Sequence, residues 1–240
     1  MMQKLLKILA ILFVSTIVIF VFGFSAKRNA LHKIKSISIK IENDSQLYLT
    51  PQTVNKMLIQ KSGNINSLPK DALFLNDLER ALRTNQLVEK ADVFVGINGA
   101  LGVIIKQKIP IARVLDSTRV FYIDNLGGSM PLSYNFSATV PTISGINTKT
   151  DIAEVFKLAD FIYKNSFLKG VVIGINKNKD NEYELLTRTD EAVVLIGDLN
   201  DLELKTNNFK AYYLNANQRK LNNSYKIINL KYRNQVVCTK

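Results

Sequence analysis

The chain has one cysteine, one histidine and no tryptophan in 240 residues, and no carboxylate before Glu42. A lone cysteine, Cys238, excludes an intramolecular disulfide. The one histidine, His32, lies in a basic stem far from Cys238 in sequence. It can neither build the usual nucleophile–histidine–carboxylate triad nor activate that thiol from within the folded body. With so few metal-binding and titratable groups, no catalytic, cofactor-binding or metal residue is assigned. The acidic pairs Glu182/Glu184 and Asp190-Glu191 fall on hairpin flanks, where solvated charge is usual. They carry the alternative reading of a membrane-anchored cell-wall enzyme working by paired carboxylates. A stripe of Lys and Arg interleaved with aromatics, as nucleic-acid binding requires, is also missing.

Because acidic residues are absent at the start, seven cations come before Glu42, namely Lys4, Lys7, Lys27, Arg28, Lys33, Lys35 and Lys40, which is more than half of the net charge of +12. These cations flank the uncharged run "ILAILFVSTIVIFVFGF", residues 8–24. Seventeen residues at about 1.5 Å each make roughly 26 Å of helix. We therefore expect a transmembrane helix over 5–26 behind a short tail, 1–4. A cleaved leader is the alternative, but the apolar core is long for one and no Ala-x-Ala site follows. Charge does not settle orientation, since more Lys and Arg follow the run than precede it.

Beyond the stem, "IKSISIKI" alternates Ile37, Ile39 and Ile41 as a half-buried strand does. "YLTPQTVNKMLIQ" starts a helix, with Thr50 as cap, Pro51 at the first position and Leu49 stapled to Val54. "LNDLERAL" suggests a second helix, with Asn76 as cap and Glu79 closing a capping box. "KADVFVGI", Asn98-Gly99 and "LGVIIKQKI" form a hairpin. Gly96, Gly99 and Gly102 join two strands, which makes them turn residues and not a phosphate loop. One strand, two helices and a hairpin make a first domain, 34–115.

In the remainder, 116–240, "VFYIDNLGGSMPL" reads as strand, glycine turn and extended segment, and "VPTISG" as a connector. Helix "DIAEVFKLADFIY" precedes three strand-like runs, "VVIGIN", "EYELLTR" and "AVVLIG". A helix over 199–214 follows, and then a closing strand, "INLKYRNQVVCTK". Its alternation places Ile228, Leu230, Tyr232 and Val236 on one face. No later segment of this chain is left to cover its outer edge. The fold class expected is α+β.

"IKQKIPIARV" (105–114) followed by "FYIDNLGGSMPL" resembles the domain junction of the bacterial cell-division family FtsQ/DivIB. "VPTISG" is similar to that family's Pro-x-x-x-Gly connector, "AVVLIGDLNDLELKTNNFKAYY" to its Leu-Gly turn and following helix, and "YKIINLKYRNQVV" to its closing segment. The likeness covers the whole chain. Asn229 and Lys231 stand where the family has Asp and Arg, and Arg233-Asn234-Gln235 replaces the usual Gly.

The resemblance implies an inner-membrane anchor with a cytoplasmic tail, a POTRA domain and a periplasmic β-domain at the division septum. It implies a non-enzymatic assembly protein without cofactors that binds FtsB and FtsL. The positions carried over are Lys231, Tyr232, Asn234, Val236, Val237 and Cys238, with Phe209 and Tyr213 in the preceding helix. Tyr232 is read either as partner anchor or as a core-facing strand residue. Strand addition is the mode expected. A POTRA-bearing export subunit is the further alternative, although such proteins carry a barrel or tandem POTRA units.

Overall fold

The computed structural model describes residues 2–30, 33–42, 46–63, 65, 69, 73–116, 119–146, 149–219, 224–233 and 235–240. The chain divides into two compact units, Met1–Gln107 and Lys108–Lys240.

The first unit holds helix α1 (Met2–Ala30), strand β1 (Ser36–Glu42), helices α2 (Pro51–Ser62) and α3 (Leu75–Arg83), and strands β2 (Val88–Val95) and β3 (Ala100–Gln107). Its sheet has the order β1-β3-β2, with β1 parallel to β3 and β2 antiparallel to it. Helix α2 begins as its sequence directs. Thr50 is extended and its side chain accepts the Thr53 amide, while Pro51 fills the first turn. Leu49 and Val54 are both buried. Helix α3 starts two residues earlier than expected, capped by Phe74 without a side-chain bond, so Asn76 is not the cap. Glu79 is drawn away from any capping box, because it accepts the Val93 amide at 2.9 Å and pairs with Arg83.

The transmembrane helix expected over 5–26 is not borne out. Among the described residues no helix is long and apolar enough to cross a membrane. Helix α1 already begins at Met2, within the segment read as a short tail. His32 lies outside the described residues.

The second unit contains β4 (Pro110–Leu115), β5 (Val120–Asp124), β6 (Ser129–Met130), β7 (Thr142–Ser144), α4 (Lys149–Lys164), α5 (Ser166–Val171), β8 (Val172–Lys177), β9 (Tyr183–Thr187), β10 (Val193–Gly197), α6 (Leu202–Arg219), β11 (Ile227–Asn229) and β12 (Val237–Thr239). Nine strands form one mixed sheet in the order β12-β11-β10-β9-β8-β7-β4-β5-β6. Its core joins strand residues such as Ile143, Ile175 and Val194 to Val155, Leu158 and Ile162 of α4 and Phe209 of α6. The α+β class holds.

Residues 110–115 were expected to close the first domain. They form β4 instead, which pairs with β5 and β7 and buries Ile111, Ala112 and Val114 in the second core. The expected connector "VPTISG" is also a strand in part. Its Thr142–Ser144 lie between β4 and β8, with Ile143 wholly buried. Gly145 ends that strand at φ 78°, where a Cβ would stand 2.0 Å from the Lys177 carbonyl oxygen, so no side chain fits there.

Candidate strand-docking edge

Residues 228–240 were expected to form one closing strand. They form a hairpin. After β11 the chain returns as β12, antiparallel, with Ile227 opposite Thr239, Ile228 opposite Cys238 and Asn229 opposite Val237. Arg233 and Gln235 lie between β11 and β12, and Asn234 lies outside the described residues. The turn is tied to α6: Asn208 Nδ2 donates to the Arg233 carbonyl at 3.0 Å, and Arg233 pairs with Asp201.

Strand β12 ends the sheet. Main-chain bonds show which of its groups face outward. The Val193 amide donates to the Lys226 carbonyl and the Leu230 amide to the Leu195 carbonyl, each at 2.9 Å. In a parallel ladder of that register, Ile228 directs its own N–H and C=O toward β10. Ile227 and Asn229 therefore face β12, opposite Thr239 and Val237, and the Lys226 amide donates to the Thr239 carbonyl at 2.7 Å. Cys238 alternates with these two, so its N–H and C=O point away from the sheet. They form an open donor–acceptor pair at the edge.

The expected partner-facing residues separate into different environments. Lys231 is held from both sides: its amide donates to Asn229 Oδ1, and its amine donates to Glu182 at 2.8 Å. The Glu182 hydrogen bond raises the Lys231 pKa. Tyr232 is 48% exposed, because the chain leaves strand geometry after Asn229, and so it does not share the burial of Ile228 and Leu230. Val236 and Cys238 are half-buried against the second core, whereas Val237 points outward at 38% exposure. Phe209 is 1% exposed and packs against Phe167, with ring centroids 5.7 Å apart. It is a core residue and has no surface to offer. Tyr213 packs edge-on to Phe167 and receives a hydrogen bond from Thr189 at 2.9 Å.

Sequence reasoning missed a groove between α6 and the β12 hairpin, with Asn208, Tyr212, Asn215, Arg219, Tyr225 and Cys238 among its lining residues. Tyr212 lies half-buried beneath it, and the hydroxyl oxygen finds no hydrogen-bond partner of normal geometry although the Cys238 thiol is beside it. Burial pushes the Tyr212 pKa up to about 12. Burial also raises the Cys238 pKa, against the opposing pull of Tyr212, which leaves the thiol a poor nucleophile at neutral pH. The signal for this groove was the spacing of Asn208, Tyr212, Asn215 and Arg219 along one helix stripe.

Carboxylates of both acidic pairs hold neighbouring groups. Glu184 accepts hydrogen bonds from Asn176 and Asn178, Glu182 holds Lys231, and Asp190 accepts the Ala192 amide. Among the described residues, no group of His, Cys, Asp and Glu is placed to hold a metal ion.

No curated protein matches the chain. The family model described as FtsQ/DivIB, C-terminal related matches residues 109–239, which is the second unit almost from end to end and includes β12. With more than half of its length matched over the strands and helices just described, the chain belongs to the FtsQ/DivIB, C-terminal related family of cell-division proteins.

Proposed function

We propose that the chain is a non-enzymatic assembly component of the bacterial divisome, acting at the septum and holding FtsB- and FtsL-like proteins by accepting a strand along the outer edge of β12. The observation that carries this reading is the outward main chain of Cys238 on the last strand of the sheet, inside the matched region. A single edge residue is not enough. Main-chain hydrogen bonds contribute only about 1 kcal/mol net each, so an incoming strand needs side-chain anchoring as well. The exposed ring of Tyr232 and the groove beside α6 are where that anchoring takes place. The fold supports the division of labour. Core packing holds Phe209 and β11 in place, while β12 is left with one bonded flank and one open flank. We read the first unit, with its β-α-α-β-β order, as a POTRA domain that contacts other divisome components.

The test is co-purification of FtsB and FtsL with the full chain and with its Cys238→Pro variant. Proline at this position removes an outward N–H and none that β11 uses. Loss of both partners from the variant is the expected outcome. Full-strength retention would show that strand pairing is not the mode.

A further inference from the structure

From Leu204 to Lys240 the chain has eight Lys or Arg residues and no Asp or Glu. Carboxylates elsewhere in the second unit neutralise three of these cations: Lys205 pairs with Asp198, Lys231 with Glu182 and Arg233 with Asp201. Arg219 and Lys226, both exposed, form no ion pair among the described residues. Arg219 lines the groove beside α6. Lys226 immediately precedes β11, next to the groove residue Tyr225, and its amide donates to the Thr239 carbonyl at 2.7 Å, which holds it beside the end of β12. The carboxylate whose charge reaches this corner is Asp190, felt at both Tyr212 and Cys238. It is already engaged by the Ala192 amide.

The other side of the hairpin has a different chemistry. Val237 and Ile227 are 38% and 40% exposed, and the register carries this apolar surface inward to half-buried Leu195 and Val193. The two flanks of β12 thus present cations on the α6 side and aliphatic surface on the other.

Side chains of an added strand alternate between the same two sides. We propose that the segment seated on β12 alternates acidic and apolar residues, its carboxylates meeting Arg219 and Lys226 on the α6 side and its apolar side chains covering Val237 and Ile227. This rests on the strand-pairing reading and names the chemistry of the partner. Desolvated aliphatic contact supplies affinity, and the unpaired cations set the face and the register.

The probes are fluorescent synthetic peptides of alternating Glu and Val, alternating Gln and Val, alternating Lys and Val, and a block-ordered peptide with the Glu and Val composition. Anisotropy is read with the full chain. The Glu/Val peptide is expected to bind about tenfold tighter than Gln/Val near ~50 mM salt, with the gap falling below about threefold near ~500 mM. In the double variant Arg219→Glu with Lys226→Glu, preference passes to Lys/Val. Cys238→Pro abolishes binding of every alternating peptide. Equal binding of Glu/Val and Gln/Val, both lost in Cys238→Pro, overturns the acidic partner and leaves strand pairing standing. A Glu/Val preference that survives Cys238→Pro places the charge contact off the edge and overturns the proposal. Equal binding of the block-ordered peptide overturns the alternation. Failure of all peptides to bind counts against both readings.

Discussion

The aliphatic stem of Lys231 lies directly across Gly197, with its Cγ and Cδ within 2.8 Å of where a Cβ on that glycine would stand. Gly197 has φ 76°, and the Lys231 amine continues past it to Glu182. The family-like Leu-Gly turn and the Lys after β11 are thus two halves of one contact. Gly197→Ala is expected to lower stability by about 1–2 kcal/mol from the left-handed backbone alone. It should also displace Lys231, visible as loss of the Lys231–Glu182 contact by NMR. Glu182→Gln, which removes an exposed and screened ion pair, should leave the denaturation midpoint nearly unchanged.

Proline scanning distinguishes the two flanks of β12. Val237→Pro removes the N–H that serves Asn229, so the amides of Ile227 and Asn229 should lose hydrogen-exchange protection as the hairpin opens. Cys238→Pro should leave both protected. Equal protection losses in the two variants would contradict the outward assignment of Cys238.

Phe209 and Tyr232 should behave as opposites. Phe209→Ala empties a site sealed by Phe167 and the sheet, and should cost about 3–5 kcal/mol in chemical denaturation. Tyr232→Ala should change stability by less than about 0.5 kcal/mol, since the ring is half exposed. Any effect of Tyr232→Ala on partner binding is then a direct one.

Tyr212 gives a pH signature. Its hydroxyl ionises at about 12 in the folded chain, against about 10 when unfolded. Below about 10 it is neutral in both states and adds no pH dependence. Between about 10 and about 12 only the unfolded state gives up the proton, so stability falls as pH rises through that window. Tyr212→Phe should flatten that part of the fall, and should be neutral or mildly stabilising at pH 7 because it removes an unsatisfied hydroxyl. Ultraviolet titration of the wild type against the variant checks both.

Thr50→Ala is the local control in the first unit. The Thr50 side chain accepts the Thr53 amide at 3.2 Å, and losing it should cost about 1 kcal/mol.

Local order was legible without coordinates wherever a short-range rule governs it. The Ile37–Ile39–Ile41 alternation, the Thr50–Pro51 helix start and the three strand runs that became β8, β9 and β10 all follow from side-chain period or capping chemistry within a few residues. The motifs of the second unit, read in order, also pointed to the family. What only tertiary structure decided was pairing. Alternation over 228–240 is equally compatible with one long strand or with two short ones folded back, because period 2 does not say where the neighbour lies. Thr142–Ser144 is too short to show a period, yet two flanking strands make it central. Asn76 had the composition of a cap, but Glu79 found a better partner in the Val93 amide, a bond that exists only once β2 packs beside α3. Phe209 fits a helix stripe in sequence, and only the packing of Phe167 and the sheet against it makes that stripe core and not contact surface. Sequence thus set the local backbone preferences. Long-range hydrogen bonding and burial chose among them, because those energies depend on which distant segment arrives alongside.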